Sequence, residues 1–73
     1  MPSNTLTLKQ IEIVTAIRNF KHLHGYAPTV RDLAALLDKS RGTIVQHIQA
    51  LVKKSVIRKQ PHTARSMEII QAA

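Results

Sequence analysis

Apolar residues recur at helical spacing through the first two thirds of the chain and then give way to two short, partly β-branched runs. Residues 1–6 read as a lead-in. Thr7 stands three positions before Gln10, the spacing at which a hydroxyl and an amide side chain satisfy each other's free backbone N–H groups. A helix is therefore predicted over residues 8–24, with Leu6, Gln10, Ile13, Ile17, Phe20 and Leu23 as its expected inner row. Gly25 and Pro28 stop it. Thr29 and Asp32 cap a second helix, residues 30–37, with an acid in the first turn that suits the helix dipole. Its apolar face is Leu33, Leu36 and Leu37, and Asp38 and Lys39 make a two-residue turn in which Asp38 must take a left-handed conformation. Ser40 caps a third helix, residues 41–54, with Ile44, Ile48, Leu51 and Val52 as the predicted buried stripe. Val56–Lys59 and Ser66–Ile70 then read as strands joined by a polar turn, a hairpin over residues 56–70. The pattern predicts one mainly α domain over residues 1–73, three helices closed by a small β-hairpin.

Two short helices joined by a tight turn, the second opened by a serine, have the layout of a helix-turn-helix. If Ile44 and Ile48 face inward, the opposite side of the third helix carries Gly42, Gln46, Gln49 and Lys53, flanked by Thr43, Val45 and Ala50. Such a face suits the major groove of DNA. Glutamine amides pair bidentately with adenine, small residues allow close approach, and a threonine or valine methyl meets the methyl of thymine.

Charge supports that partner. Eleven Lys and Arg stand against four Asp and Glu, a net charge of +7 on 73 residues. Residues 1–38 hold four bases and three acids, whereas from Lys39 to Met67 there are seven bases and no acid. A one-sided basic field attracts a polyanion. Phe20 and Tyr26 are the only aromatic residues, too few for the base stacking that single-strand binding uses. The absence of cysteine removes disulfides, thiolate catalysis and Cys-based zinc sites. The histidines do not suggest a metal: His22 and His24 would point about 200° apart on a helix. His47 borders the buried stripe, and His62 falls in the hairpin turn. No catalytic pair of acids, nucleophile set or phosphate-cradling loop is evident, so no enzyme, cofactor or small-molecule ligand is expected. The longest apolar run, residues 33–37, cannot span a bilayer, and a cytoplasmic protein is expected.

Leu33 to Ile44, followed by His47, Ile48 and Leu51, resembles the bacterial winged helix-turn-helix pattern. More narrowly, the chain resembles the N-terminal DNA-binding domain of the LexA repressors of the SOS response. The resemblance rests on Leu6, Thr7 and Gln10, on Gly25, Tyr26 and Pro28 to Arg31, and on His47 to Leu51. It continues through Lys53, Lys54, Val56 to Arg58, Arg65, Glu68 and Ile69, covering about residues 5–70. It implies that the third helix enters the major groove and that the hairpin is a wing against the duplex. Ser40, Gly42, Thr43, Val45 and Gln46 would then read bases, joined by Gln49 from the outward face. Arg31, Lys53, Lys54, Lys59 and Arg65 would contact the DNA backbone, together with Lys39 and Arg41 of the basic stretch.

The sequence departs from the family at several positions. The turn Asp38–Lys39 is shorter than usual, Gly42 stands where Asn or Ser is common, Gln46 replaces a position that can be acidic, and Ser55 replaces a helix-ending glycine. Neither an Ala-Gly cleavage bond nor a Ser-Lys catalytic domain is present, so the expectation is either an excised domain or a stand-alone LexA-type repressor that lacks the self-cleaving domain. The expected setting is bacterial or phage, nucleoid-associated, with a homodimer on an inverted-repeat operator.

The rival reading is a winged-helix protein-interaction module, or an accessory regulator that acts through a partner protein. Its motive is that Ile11 and Val14 lie off the main row of the first helix, where they either pack under the wing or form a dimer patch.

Overall fold

The computed structural model describes residues 6–60 and 65–70. Three helices, α1 (Leu8–His24), α2 (Val30–Leu37) and α3 (Arg41–Lys53), are followed by strands β1 (Ile57–Arg58) and β2 (Glu68–Ile69). The strands pair antiparallel, Ile57 opposite Ile69 and Arg58 opposite Glu68. This is the winged helix-turn-helix class expected from the pattern.

Local chemistry sets each boundary. The Thr7 hydroxyl accepts the Gln10 backbone N–H at 3.1 Å while Gln10 Oε1 accepts the Thr7 backbone N–H at 3.1 Å. Thr29 and Asp32 form the same reciprocal box, both bonds at 3.0 Å. Helix α1 ends on Gly25 at φ 82°, and α2 ends on Asp38, left-handed at φ 54°, ψ 48°. Helix α3 stops at Lys53, with Lys54 as its cap, one residue short of the expected span. The Ser55 N–H then bonds Val52 and the Val56 N–H bonds Leu51, each at 3.0 Å, with Ser55 left-handed at φ 61°. That is a Schellman closure made without its usual glycine, and its hydrophobic contact is supplied by Val56 and Leu51, both buried.

The core joins Ile13, Val14 and Ile17 of α1, Leu33 of α2, Ile44, Ile48 and Leu51 of α3, and Val56, Ile57 and Met67 of the wing. Four expected core positions lie outside it: Phe20 is half-buried against His24 and Tyr26, and Leu23, Leu36 and Val52 are exposed because their angles on the helix are wrong. Leu23 is 77% exposed: it sits about 220° round from Gln10, since successive steps of three residues drift off the face. Leu36 is 59% exposed, turned about 100° from Leu37, the better-placed of the pair. Val52 is 41% exposed and lies about 80° from Ile44. Val14 is instead fully in the core, so of the two off-row residues of α1 only Ile11 reaches the surface. The strands are shorter than the expected runs, and Pro61 to Ala64, including His62, lie outside the described residues, as do residues 1–5 of the lead-in.

Candidate nucleic-acid interface

Helix α3 separates its two faces cleanly. Ile44, Ile48 and Leu51 are buried within an arc of about 60°, and the opposite arc of similar width holds Gly42, Gln46, Gln49 and Lys53, all exposed. A Cβ built on Gly42 meets nothing within 4 Å, so the fold itself places no demand for glycine there. Val45 lies between the faces, and with Ile48, Gln49, Val52 and Lys59 it lines a shallow, mostly apolar groove of about 300 Å³ between α3 and the wing.

The turn into α3 is rigidly organised. Ser40 caps the helix by accepting the Thr43 N–H at 3.2 Å, and its hydroxyl also lies 2.9 Å from the Thr43 hydroxyl. The two side chains therefore present one linked polar pair at the first turn. Ser40 is exposed and Thr43 half-buried.

The basic residues divide into two sets. Arg31 at the start of α2, Arg41 and Lys53 on α3, and Lys59 after β1 are exposed, while Lys39 in the turn is half-buried. Lys54, half-buried, and Arg65, exposed, are instead tied by their side chains to other parts of the molecule. Lys54 Nζ donates to Gln10 Oε1 at 2.8 Å, joining the end of α3 to the start of α1. Arg65 Nη1 donates to the Ala27 carbonyl and to Asp32 Oδ2, both at 3.0 Å, and its guanidinium lies 4.5 Å from the centre of the Tyr26 ring. Arg58 forms a cross-strand ion pair with Glu68, its Nε 3.2 Å from Oε1. Sequence reasoning missed these three ties. The Arg58–Glu68 pair was accessible from hairpin register; the other two join residues 44 and 33 positions apart.

Two acids are consequently tuned. Asp32 is held below the ordinary carboxylate value of 3.8, chiefly by the Thr29 backbone N–H and further by Arg65. Glu68 is held below 4.5 by its hydrogen bond and charge interaction with Arg58. Both carboxyls therefore stay ionised, Asp32 paired with Arg65 and Glu68 with Arg58.

Among the described residues no group of three or more His, Cys, Asp or Glu could hold a metal ion. His22 is exposed, and the His24 ring lies 4.2 Å from that of Phe20. No described helix is long and apolar enough to cross a membrane.

The profile of the family described as LexA DNA binding domain matches residues 3–66. A LexA repressor of Magnetococcus marinus is 37% identical over 70 residues, covering 96% of this chain and 30% of that protein. One of Limosilactobacillus fermentum is 37% identical over 73 residues, 99% of this chain and 35% of that protein. One of Thermosipho melanesiensis is 34% identical over 67 residues, 90% and 33% respectively. The chain thus spans about a third of the length of these relatives.

Proposed function

The chain belongs to the LexA DNA-binding domain family, and on that basis we propose that it binds double-stranded DNA sequence-specifically as the reading domain of a transcriptional repressor. The observation that carries the reading is the exposed row Gly42, Gln46, Gln49 and Lys53, set opposite the core on a helix whose first turn is pinned by Ser40. Gln46 and Gln49 are the amide readers, suited to adenine. Ser40 and Thr43 act as one hydroxyl pair, Val45 with its apolar groove receives a thymine methyl, and Gly42 admits the closest approach. Arg31, Lys39, Arg41, Lys53 and Lys59 are the backbone contacts, fixing register without reading sequence.

Five phosphate contacts predict a log-log salt slope of about −4 to −5 per domain. One module of this size reads few base pairs, so the expected target is an inverted repeat occupied by two copies, in the bacterial cytoplasm. The role assigned to these residues is binding, with no catalytic step.

Selection from random duplexes, followed by binding at two salt concentrations, tests the reading. Gln46→Ala should relax preference at one base position, with a loss of about 1–3 kcal/mol on the selected site. Lys53→Ala should weaken all duplexes alike and lower the salt slope by about one. Enrichment of no sequence, with binding that disappears in salt, would reduce the domain to a basic surface.

A further inference from the structure

The hairpin returns to the helices at Arg65. This residue is left-handed at φ 56°, a conformation that non-glycine side chains adopt only at a cost. Its side chain makes three contacts: the Ala27 carbonyl and the face of Tyr26 in the segment between α1 and α2, and the Asp32 carboxylate in the first turn of α2. The Asp32 oxygen it grips is the one that accepts the Thr29 N–H and caps α2. Next to Arg65, the Ser66 hydroxyl accepts the Gln60 N–H and donates to the Gln60 carbonyl, both at 3.1 Å, closing the base of the wing. Gln60 follows Lys59 directly. A continuous path therefore runs from the start of α2 through Asp32, Arg65, Ser66 and Gln60 to Lys59.

The geometry points to Arg65 as the positioning residue of the wing, whose anchorage on Tyr26, Ala27 and Asp32 sets where Lys59 meets a duplex. The inference rests on the DNA-binding reading and gives Arg65 a role through Lys59 in place of a phosphate contact of its own. Arginine suits the task because one planar group stacks on a ring and donates in its plane at the same time, which an ammonium does not do.

The discriminating variants are Arg65→Lys, which keeps the charge, and Tyr26→Ala, which removes no charge at all. In the free protein, both should shift the backbone amide resonances of residues 58–60 and 66–68 while leaving those of residues 43–49 in place. Tyr26→Phe should leave both groups of resonances unchanged. On a selected duplex, Arg65→Lys and Tyr26→Ala should each weaken binding about tenfold, and the double variant should be no weaker than either single one. Circular dichroism confirms that each variant folds. Wild-type affinity and unmoved wing amides in Arg65→Lys would overturn the proposal, since charge alone would then suffice. Additive losses in the double variant would overturn it as well. If the unsubstituted protein selects no duplex, the DNA-binding reading fails, and the amide shifts still decide whether Arg65 positions the wing.

Discussion

Gly42 and Ser55 are opposites. A glycine stands in an ordinary helical position with open space around it, and a serine stands in a left-handed position where glycine is the usual choice. Neither is explained by the stability of the fold. Gly42→Ala should stabilise α3 by about 0.5–1 kcal/mol. The same methyl, pointing from the exposed row, should weaken binding to the selected duplex about tenfold or more. Thermal unfolding and duplex titration of the one variant would show the two effects moving in opposite directions. Ser55→Gly should relieve the left-handed strain at the Schellman closure by about 1 kcal/mol, raising Tm by about 5 °C with duplex affinity unchanged. Loss of stability in Ser55→Gly would mean that the serine hydroxyl does something there beyond closing the helix.

At the scale of elements, the chain announces its helices clearly because their boundaries are set by neighbours three residues apart. The boxes Thr7–Gln10 and Thr29–Asp32, and the cap Ser40–Thr43, are each written within four consecutive residues. The outward row of α3 was legible for a related reason, since a buried stripe on a regular helix fixes its opposite side. Leu23, Leu36 and Val52 are apolar yet exposed, because angle on the helix and not apolar character decides burial. The ties Lys54–Gln10 and Arg65–Asp32 were illegible because nothing in a linear reading brings residues so far apart together. Lys54 and Arg65, which the resemblance places at the DNA backbone, both take part in these ties. The capping acid Asp32 also gives α2 a pH response. Its carboxyl titrates lower in the folded protein than in the unfolded chain, as does that of Glu68. Their stabilisation is therefore complete above the ordinary carboxylate range and is lost as pH falls through the depressed values. Thermal midpoints should drop on acidification below about pH 4. In Asp32→Asn, which keeps an amide oxygen for the Thr29 N–H, the drop should be shallower; an identical acid profile would remove Asp32 as a contributor.

Across the whole molecule, two sets of polar residues serve separate ends. Gln10 with Lys54, Asp32 with Arg65, and Arg58 with Glu68 bind elements to one another. Arg31, Arg41, Lys53 and Lys59 face outward among the basic residues. Replacing Arg41 and Lys59 together by Gln should lower the salt slope by about two and leave the thermal midpoint nearly unchanged. A comparable change at Arg58 should leave the slope alone, because that charge is already matched by Glu68. Titrations over a range of salt concentrations, alongside melting curves, separate the two sets.

The side chains at 42, 46 and 49 are exposed and lie opposite the buried face of α3, and the space around Gly42 is empty. An altered residue there leaves the packing of the helix undisturbed, so nearly every combination should yield a folded protein. On the proposed reading the domain is thus suited to retargeting: a library randomised at these three positions would vary the preferred duplex almost independently of foldability.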